Sequence, residues 1–143
     1  MKQDTMYHIT PIENLEEILA IGLYPSEAFE GFGVFMATEP LNCYLMLFDR
    51  FIGGAVFGAL FDYHIRGKLP TPDEKIYALL KVNTKGYELK ETENSRQFRE
   101  YYYSERIPKE RLTYVGNINT AERTITLADG KVSLDTYEVI EKW

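Results

Sequence analysis

The chain has 143 residues, a length that fits one hydrophobic core, so we expect a single domain spanning residues 1–143. Apolar residues make up 45% of the chain, which excludes intrinsic disorder, and its longest apolar run, at 51–61, is too short to span a bilayer. A net charge of −6 argues against broad coating of nucleic acid, and the single cysteine excludes an intramolecular disulfide and a cysteine-rich zinc site.

The N-terminal half is predicted to be mainly helical. Residues 1–10 carry no apolar signal segment, so the expected location is the cytoplasm of the host cell, without a membrane partner. Gly22 suits a left-handed cap at a helix C terminus, and Thr38 with Pro40 suits a helix start. In chain order we predict a strand at 6–10, a helix at 12–21, a glycine-rich loop at 25–33, a strand at 34–37, helices from 38 to the glycine pair at 53–54 and from 55 to 66, and a loop at 69–73.

The C-terminal half is predicted to consist of strands. Asp129-Gly130 lies between two β-rich runs, and an Asp-Gly pair is a strong hairpin signal. A short helical turn is expected at 109–111. Strands are predicted at 76–82, 87–89, 98–103, 112–118, 124–127 and 131–134, with a turn at 85–86. Because helices cluster in the first half and strands in the second, the sequence predicts an α+β fold and not an alternating parallel sheet.

Two side chains are candidates for chemistry from the residues alone. His8 lies in the first strand, directly before a helix start, where it could donate to a bound hydroxyl; an ordinary histidine at a strand edge is the alternative. Glu100 shares a strand face with Phe98 and Tyr102, and burying a carboxylate there is unfavourable unless it is paired or has a functional role. The alternative is a solvated glutamate on an edge strand. His64 is interpreted as structural. The sequence contains no glycine-rich phosphate motif, no nucleophile elbow and no spaced set of metal ligands.

Four segments, in this order, resemble the ADP-ribosyltransferases. YHIT at 7–10 with the following IENLEEILAIGLYPS is similar to the family's opening strand, helix and GL.P turn, and GVFMAT at 33–38 to its GVYLAT strand before a helix. ALLKV at 78–82 resembles the middle strand, and EYYYSERIPKE at 100–110 the closing glutamate strand with its I-P-P-E turn. The likeness is greatest to DarT-type toxins that modify DNA and more distant to RNA 2′-phosphotransferases. It implies an ADP-ribosyltransferase-like split β-sheet core with helices mainly from the N-terminal half.

The resemblance implies cleavage of NAD, as a substrate, at its nicotinamide riboside, without a metal. The catalytic residues would be His8, which would hydrogen-bond a ribose hydroxyl, and Glu100, which would bind the ribose 2′-hydroxyl and stabilise an oxocarbenium-like transition state as nicotinamide leaves. The backbone of Ile9 would clamp the nicotinamide amide, and Thr10 would support the turn. Contacts to NAD are thus expected from Tyr7, His8, Ile9, Thr10, Phe35 and Tyr44.

Two departures from the family pattern leave alternatives open. Phe35 stands where the family has a tyrosine, so it can stack on nicotinamide but cannot hydrogen-bond, and Tyr44 is a candidate to supply a ring or hydroxyl. Phe98 stands where arginine-modifying members carry glutamine or glutamate, so arginine is disfavoured as the acceptor. The expected function is mono-ADP-ribosylation of a protein or nucleic acid. The alternatives are a non-catalytic module that binds NAD or ADP-ribose, NAD hydrolysis, and 2′-phosphate transfer.

Overall fold

A computed structural model describes residues 2–28, 31–44, 75–92 and 99–134. About half of these residues lie in β1 (Thr5–Pro11), β2 (Ser26–Ala28), β3 (Gly31–Ala37), β4 (Ile76–Asn83), β5 (Lys90–Glu91), β6 (Glu100–Tyr103), β7 (Leu112–Asn119), β8 (Thr124–Leu127) and β9 (Gly130–Ser133). The helical segments are a 3-10 turn, Ile12–Asn14, that continues into α1 (Leu15–Ile21), a 3-10 turn at Lys109–Arg111, and a helix that begins at Pro40. None of the described helices is long and apolar enough to cross a membrane.

The described strands form one antiparallel sheet in the order β5-β6-β3-β1-β4-β7-β8-β9, with β2 on β3. This arrangement confirms a largely antiparallel, α+β-like fold. β1 pairs with β4 along its whole length, from Thr5 to Pro11. By contrast, β1 is in register with β3 at one position, Tyr7 opposite Ala37. The later residues of β1 and the earlier residues of β3 are therefore not paired with each other, and we call this opening the fork.

The centre of the sheet is buried on both faces, whereas its edge strands β5 and β9 are exposed. Leu79 and Leu80 are neighbours on β4, so their side chains point to opposite faces, and each belongs to a different hydrophobic cluster. This explains why β4 reads as a continuous apolar run and not as an alternating one. The first cluster contains Ala37, Cys43, Tyr44, Tyr77, Leu79, Ile118, Ile125 and Leu134. The second contains Met6, Leu23, Val34, Met36, Leu80, Val82, Leu89, Ile107 and Leu112.

The C terminus of α1 is attached to the segment that follows β6. Leu23 and Ile107 exchange two backbone hydrogen bonds, of 2.9 and 2.8 Å. Gly22 has φ 91° and ψ −176°, so a glycine with positive φ ends the helix as predicted, although its conformation is extended and not left-handed helical. A Cβ at Gly22 would lie 2.5 Å from the Ile107 carbonyl oxygen, so the close approach of these two segments also requires glycine.

Among the described residues from 76 to 134 most predicted elements agree with the structure, and the strand predicted at 98–103 is present from Glu100 as β6. The strands at 76–82, 112–118 and 124–127, the turns at 85–86 and 109–111, and the hairpin at Asp129-Gly130 are confirmed within a residue or two. The predicted strand at 87–89 is wrong: the Tyr87 amide closes a turn on the Thr84 carbonyl at 2.9 Å, and strand pairing starts only at β5.

Two predictions for the N-terminal half are corrected. The glycine-rich segment at 25–33 is not simply a loop, because it contains β2 and the start of β3, whose ladder joins Ser26 to Gly33. Three strands thus precede residue 38, so helices and strands are not segregated between the two halves. The helix start near Pro40 is confirmed. The rest of that helix, the predicted helix at 55–66 with His64, the loop at 69–73 and Phe98 lie outside the described residues.

Candidate functional site

A cavity of about 450 Å³ opens at the fork. Small-molecule sites commonly have volumes of roughly 300–1,000 Å³, so the cavity can hold a ligand of nucleoside size. β1 contributes His8 and Thr10 to its wall, β3 contributes Phe35, and α1 with the turn before it contributes Asn14 and Glu17. The cavity therefore brings together the first and second segments of the family resemblance.

The His8 ring is oriented by a hydrogen bond across the fork. Its Nδ1 lies 2.8 Å from the carbonyl oxygen of Phe35. Because a carbonyl oxygen only accepts, Nδ1 carries the proton and donates. Nε2 is then an acceptor when the ring is neutral and a donor when it is protonated. This bond joins two strands that are far apart in sequence, and it holds the imidazole in the wall of the cavity.

The peptide groups of Ile9 point toward the fork. The Thr84 amide donates to the Asp4 carbonyl at 3.0 Å, so even-numbered residues of β1 direct their backbone groups at β4. Backbone groups alternate in direction along an antiparallel strand, so those of Tyr7 and Ile9 point away from β4, toward β3. Consistent with this, the Tyr7 carbonyl accepts a hydrogen bond from Cys43 Sγ at 3.5 Å. Pairing with β3 ends at Tyr7, so the Ile9 peptide faces the cavity side of β1.

Glu100 lies two strands from β1, in line with Tyr7. Ala37 is opposite Tyr7 on one side and Glu100 on the other, so the three residues form a row across β1, β3 and β6. With adjacent strands roughly 5 Å apart, the backbones of Tyr7 and Glu100 are about 10 Å apart. The Glu100 side chain is 2% exposed, and it does not line the cavity in the described part of the chain. Arg99, directly before it, has φ 53°, a conformation that is unusual for a residue with a side chain.

Strand alternation assigns His8 and Glu100 to opposite faces of the sheet. Residues directly opposite each other share a face, so Glu100 shares its face with Ala37 and Tyr7, whereas the neighbour of Tyr7, His8, faces the other way. Phe35 lies on the face of Glu100, and its ring stacks on Tyr102 at 5.3 Å and 27°. Nevertheless Phe35 lines the cavity. Its carbonyl oxygen accounts for this contact, because it accepts the hydrogen bond from His8 in the cavity wall.

The remaining predicted contacts divide between the cavity and the core. Thr10 lines the cavity and is buried. Tyr44 is completely buried in the first hydrophobic cluster, and Tyr7 packs against that cluster. Neither tyrosine is part of the described cavity wall. The structure thus brings His8, Thr10 and Phe35 together in one cavity, with the Ile9 peptide beside them.

Sequence reasoning missed four polar or aromatic residues of the described cavity wall: Asn14, Glu17, Tyr24 and Ser26. Asn14 and Glu17 are three positions apart, so they lie on one side of the helical segment, next to Ile18. Polar residues at that spacing beside an apolar stripe are a signal, although solvated helix faces show it as well. Tyr24 carries no such signal, because its place at the cavity mouth depends on the contact of Leu23 with Ile107.

The charges at the cavity favour a ligand that is not anionic at its buried end. In the described part of its wall, Glu17 is the one acidic side chain, and no lysine or arginine is present. No group of three or more potential metal ligands occurs among the residues that the structure describes. Comparisons with protein-family models, with curated proteins and with solved structures found no match.

Proposed function

We propose that the cavity at the fork binds NAD and that the chain transfers ADP-ribose from it to a macromolecular acceptor, a protein or a nucleic acid. One observation carries this proposal. His8 and Phe35, from two separate segments of the family resemblance, line one cavity at the fork and are joined there by the hydrogen bond from His8 Nδ1 to the Phe35 carbonyl. A neutral or cationic aromatic amide fits a wall that contains a carboxylate and no lysine or arginine in its described part.

Each group at the fork has a role in the proposed complex. The N–H and C=O of Ile9 match the carbonyl and amino groups of the nicotinamide amide, which is a complementary pair of hydrogen bonds. The Phe35 ring offers a flat surface to the pyridinium, and an aromatic face attracts a cation. His8, held by the Phe35 carbonyl, directs Nε2 at a ribose hydroxyl. Thr10 supports the end of β1.

Glu100 is the proposed catalytic carboxylate. During transfer the bond between C1′ of the ribose and the pyridinium nitrogen breaks, nicotinamide leaves with the electron pair, and an acceptor lone pair forms the new bond to C1′ as the acceptor loses a proton. Positive charge develops on the ribose, and a carboxylate beside it lowers the barrier. The row Tyr7–Ala37–Glu100 supports this assignment, because it aligns the carboxylate with the start of the fork.

A second function, a binding module without catalysis, is favoured by a different observation. Glu100 is 2% exposed and does not belong to the described cavity wall, so a ligand in the cavity does not touch it without some movement. A module of this kind would bind NAD or ADP-ribose and leave the glycosidic bond intact.

Replacing Glu100 with glutamine tests the two functions against each other. Purified protein is incubated with labelled NAD and cell lysate, and both transferred label and free nicotinamide are measured. We expect Glu100→Gln to lose both signals, by about 100-fold or more for one electrostatic contact in a transition state, while its melting temperature stays near that of the wild type. Glu91→Gln, on the exposed strand β5, is the matched control and should keep full activity.

The outcomes separate cleanly. Wild-type protein that binds NAD but releases no nicotinamide would support the binding module. Protein that neither binds nor cleaves NAD would refute both functions. Release of nicotinamide without transfer of label to any component of the lysate would indicate NAD hydrolysis instead.

A further inference from the structure

Charge at the fork implies one orientation for the dinucleotide, provided that the proposed binding of NAD is right. NAD carries a cationic pyridinium at one end and an anionic diphosphate in its middle. The described cavity wall contains the Glu17 carboxylate and no lysine or arginine. An unpaired phosphate inside such a wall would be costly, because a buried anion needs a cation or several donors. The described wall therefore disfavours a diphosphate inside the cavity.

A cation is held at the cavity mouth. Tyr24 lines the mouth and is 59% exposed. The Arg106 guanidinium lies over its ring, with Cζ 5.5 Å from the ring centre, and Nη2 donates to the Ile21 carbonyl at 3.1 Å. A guanidinium has five N–H donors, so the bond to Ile21 leaves others that can reach phosphate oxygens.

The position of this arginine is set by the backbone. Its neighbour Ile107 exchanges two hydrogen bonds with Leu23, and Leu23 in turn is the neighbour of Tyr24. Arg106 and Tyr24 are therefore each next in sequence to a residue of the backbone bridge that joins their two segments. The bond to the Ile21 carbonyl and the contact with the Tyr24 ring restrict the guanidinium before a ligand binds, which lowers the entropy lost on binding.

We infer that the dinucleotide binds with its nicotinamide riboside inside the fork and its diphosphate against Arg106 at the mouth, beside Tyr24. The site is thus divided into an inner part that accepts an uncharged or cationic nucleoside and an outer part that accepts a diphosphate. The adenosine continues outward over the surface of Tyr24.

Two probes that each carry half of NAD test this division. ADP-ribose has the diphosphate but no nicotinamide, and nicotinamide riboside has the nicotinamide but no phosphate. We expect Arg106→Gln to weaken ADP-ribose binding roughly tenfold, the loss of one charge-assisted contact, and to change nicotinamide riboside binding by less than about twofold. The affinity of the wild type for ADP-ribose should also fall with added salt more steeply than that of the variant.

Lys85→Gln is the matched control, because it removes one positive charge from a turn away from the fork. It should leave both affinities unchanged. The inference is overturned if Arg106→Gln behaves like Lys85→Gln, or if it weakens the two probes equally, which would indicate a purely structural arginine. Wild type that binds neither probe would overturn the inference together with the proposed function. Wild type that binds both probes in the expected way but never cleaves NAD would refute transfer and leave the divided site intact.

Discussion

Replacing Gly33 with alanine perturbs the cavity wall at a point where two strands approach closely. A Cβ at Gly33 would lie 2.6 Å from Cδ2 of Tyr102 and 2.7 Å from the carbonyl oxygen of Tyr103. The Tyr102 ring cannot turn aside without disturbing its stack on Phe35. The Tyr103 carbonyl belongs to β6, so that contact is relieved only when β3 and β6 move apart.

The expected cost follows from this geometry. Adding a methyl group to a well-packed site costs about 1–3 kcal/mol, and we expect the upper half of that range because one of the contacts is backbone. For a chain of this size the melting temperature should fall by roughly 5–10 °C. Since Gly33 also lines the cavity, the affinity for NAD or ADP-ribose should fall together with stability.

Gly116→Ala is the matched comparison for this substitution. Its Cβ would collide with the Thr126 carbonyl oxygen between β7 and β8, but Gly116 is not part of the described cavity wall. We expect a loss of stability at least as large as that of Gly33→Ala, with ligand affinity unchanged below the melting temperature. Thermal unfolding and calorimetric titration measure both quantities. If Gly33→Ala melts within about one degree of the wild type, the contact relaxes easily and the reasoning is wrong.

Three further predictions concern side chains outside the fork. Arg111→Ala should lower the free energy of unfolding by about 1–3 kcal/mol in urea titrations, because it removes two hydrogen bonds to backbone carbonyls and a guanidinium 4.3 Å from a tyrosine ring; an unchanged midpoint would contradict this. The pKa of Tyr103 is raised above its ordinary value of 10.0 by burial and by the Glu105 carboxylate. This carboxylate accepts a hydrogen bond from the Tyr103 hydroxyl and repels the phenolate that deprotonation would form. The stability that this tyrosine contributes is therefore present below pH 10.0 and is lost as the pH rises through the raised pKa. In an absorbance titration, Glu105→Gln should lower the pKa of one tyrosine phenol, and an unchanged titration curve would contradict this. Lys131→Ala breaks an exposed ion pair with Glu122 and should change stability by less than about 1 kcal/mol; a larger loss would show that the pair is more than a solvated contact.

Sequence patterns predicted the elements whose signals are local. β4 was recognisable from its β-rich apolar run, the β8–β9 hairpin from Asp129-Gly130, and the end of α1 from Gly22. The misplaced strands, β2 and β5, have only three and two residues and contain polar residues. Segments this short show no periodicity, and they become strands only because β3 and β6 offer them an edge to pair with.

The candidate site was predictable to a similar extent. His8, Thr10 and Phe35 were selected from residue type and motif, and the structure places all three in one cavity. Arg106 was not selected from the sequence, since no local pattern reveals that its guanidinium lies over Tyr24.

The sequence by itself indicated the central strands and the helix that follows the first of them, and it selected His8 and Glu100 as candidates for chemistry. The tertiary structure decided their relation. Pairing of β1 with β3 stops after Tyr7, which opens the fork and seats His8 in a cavity, whereas Glu100 is buried two strands away on the other face. This division has a physical reason: strand and turn preferences act over a few neighbouring residues, but the point where two strands separate depends on contacts between segments far apart in the chain.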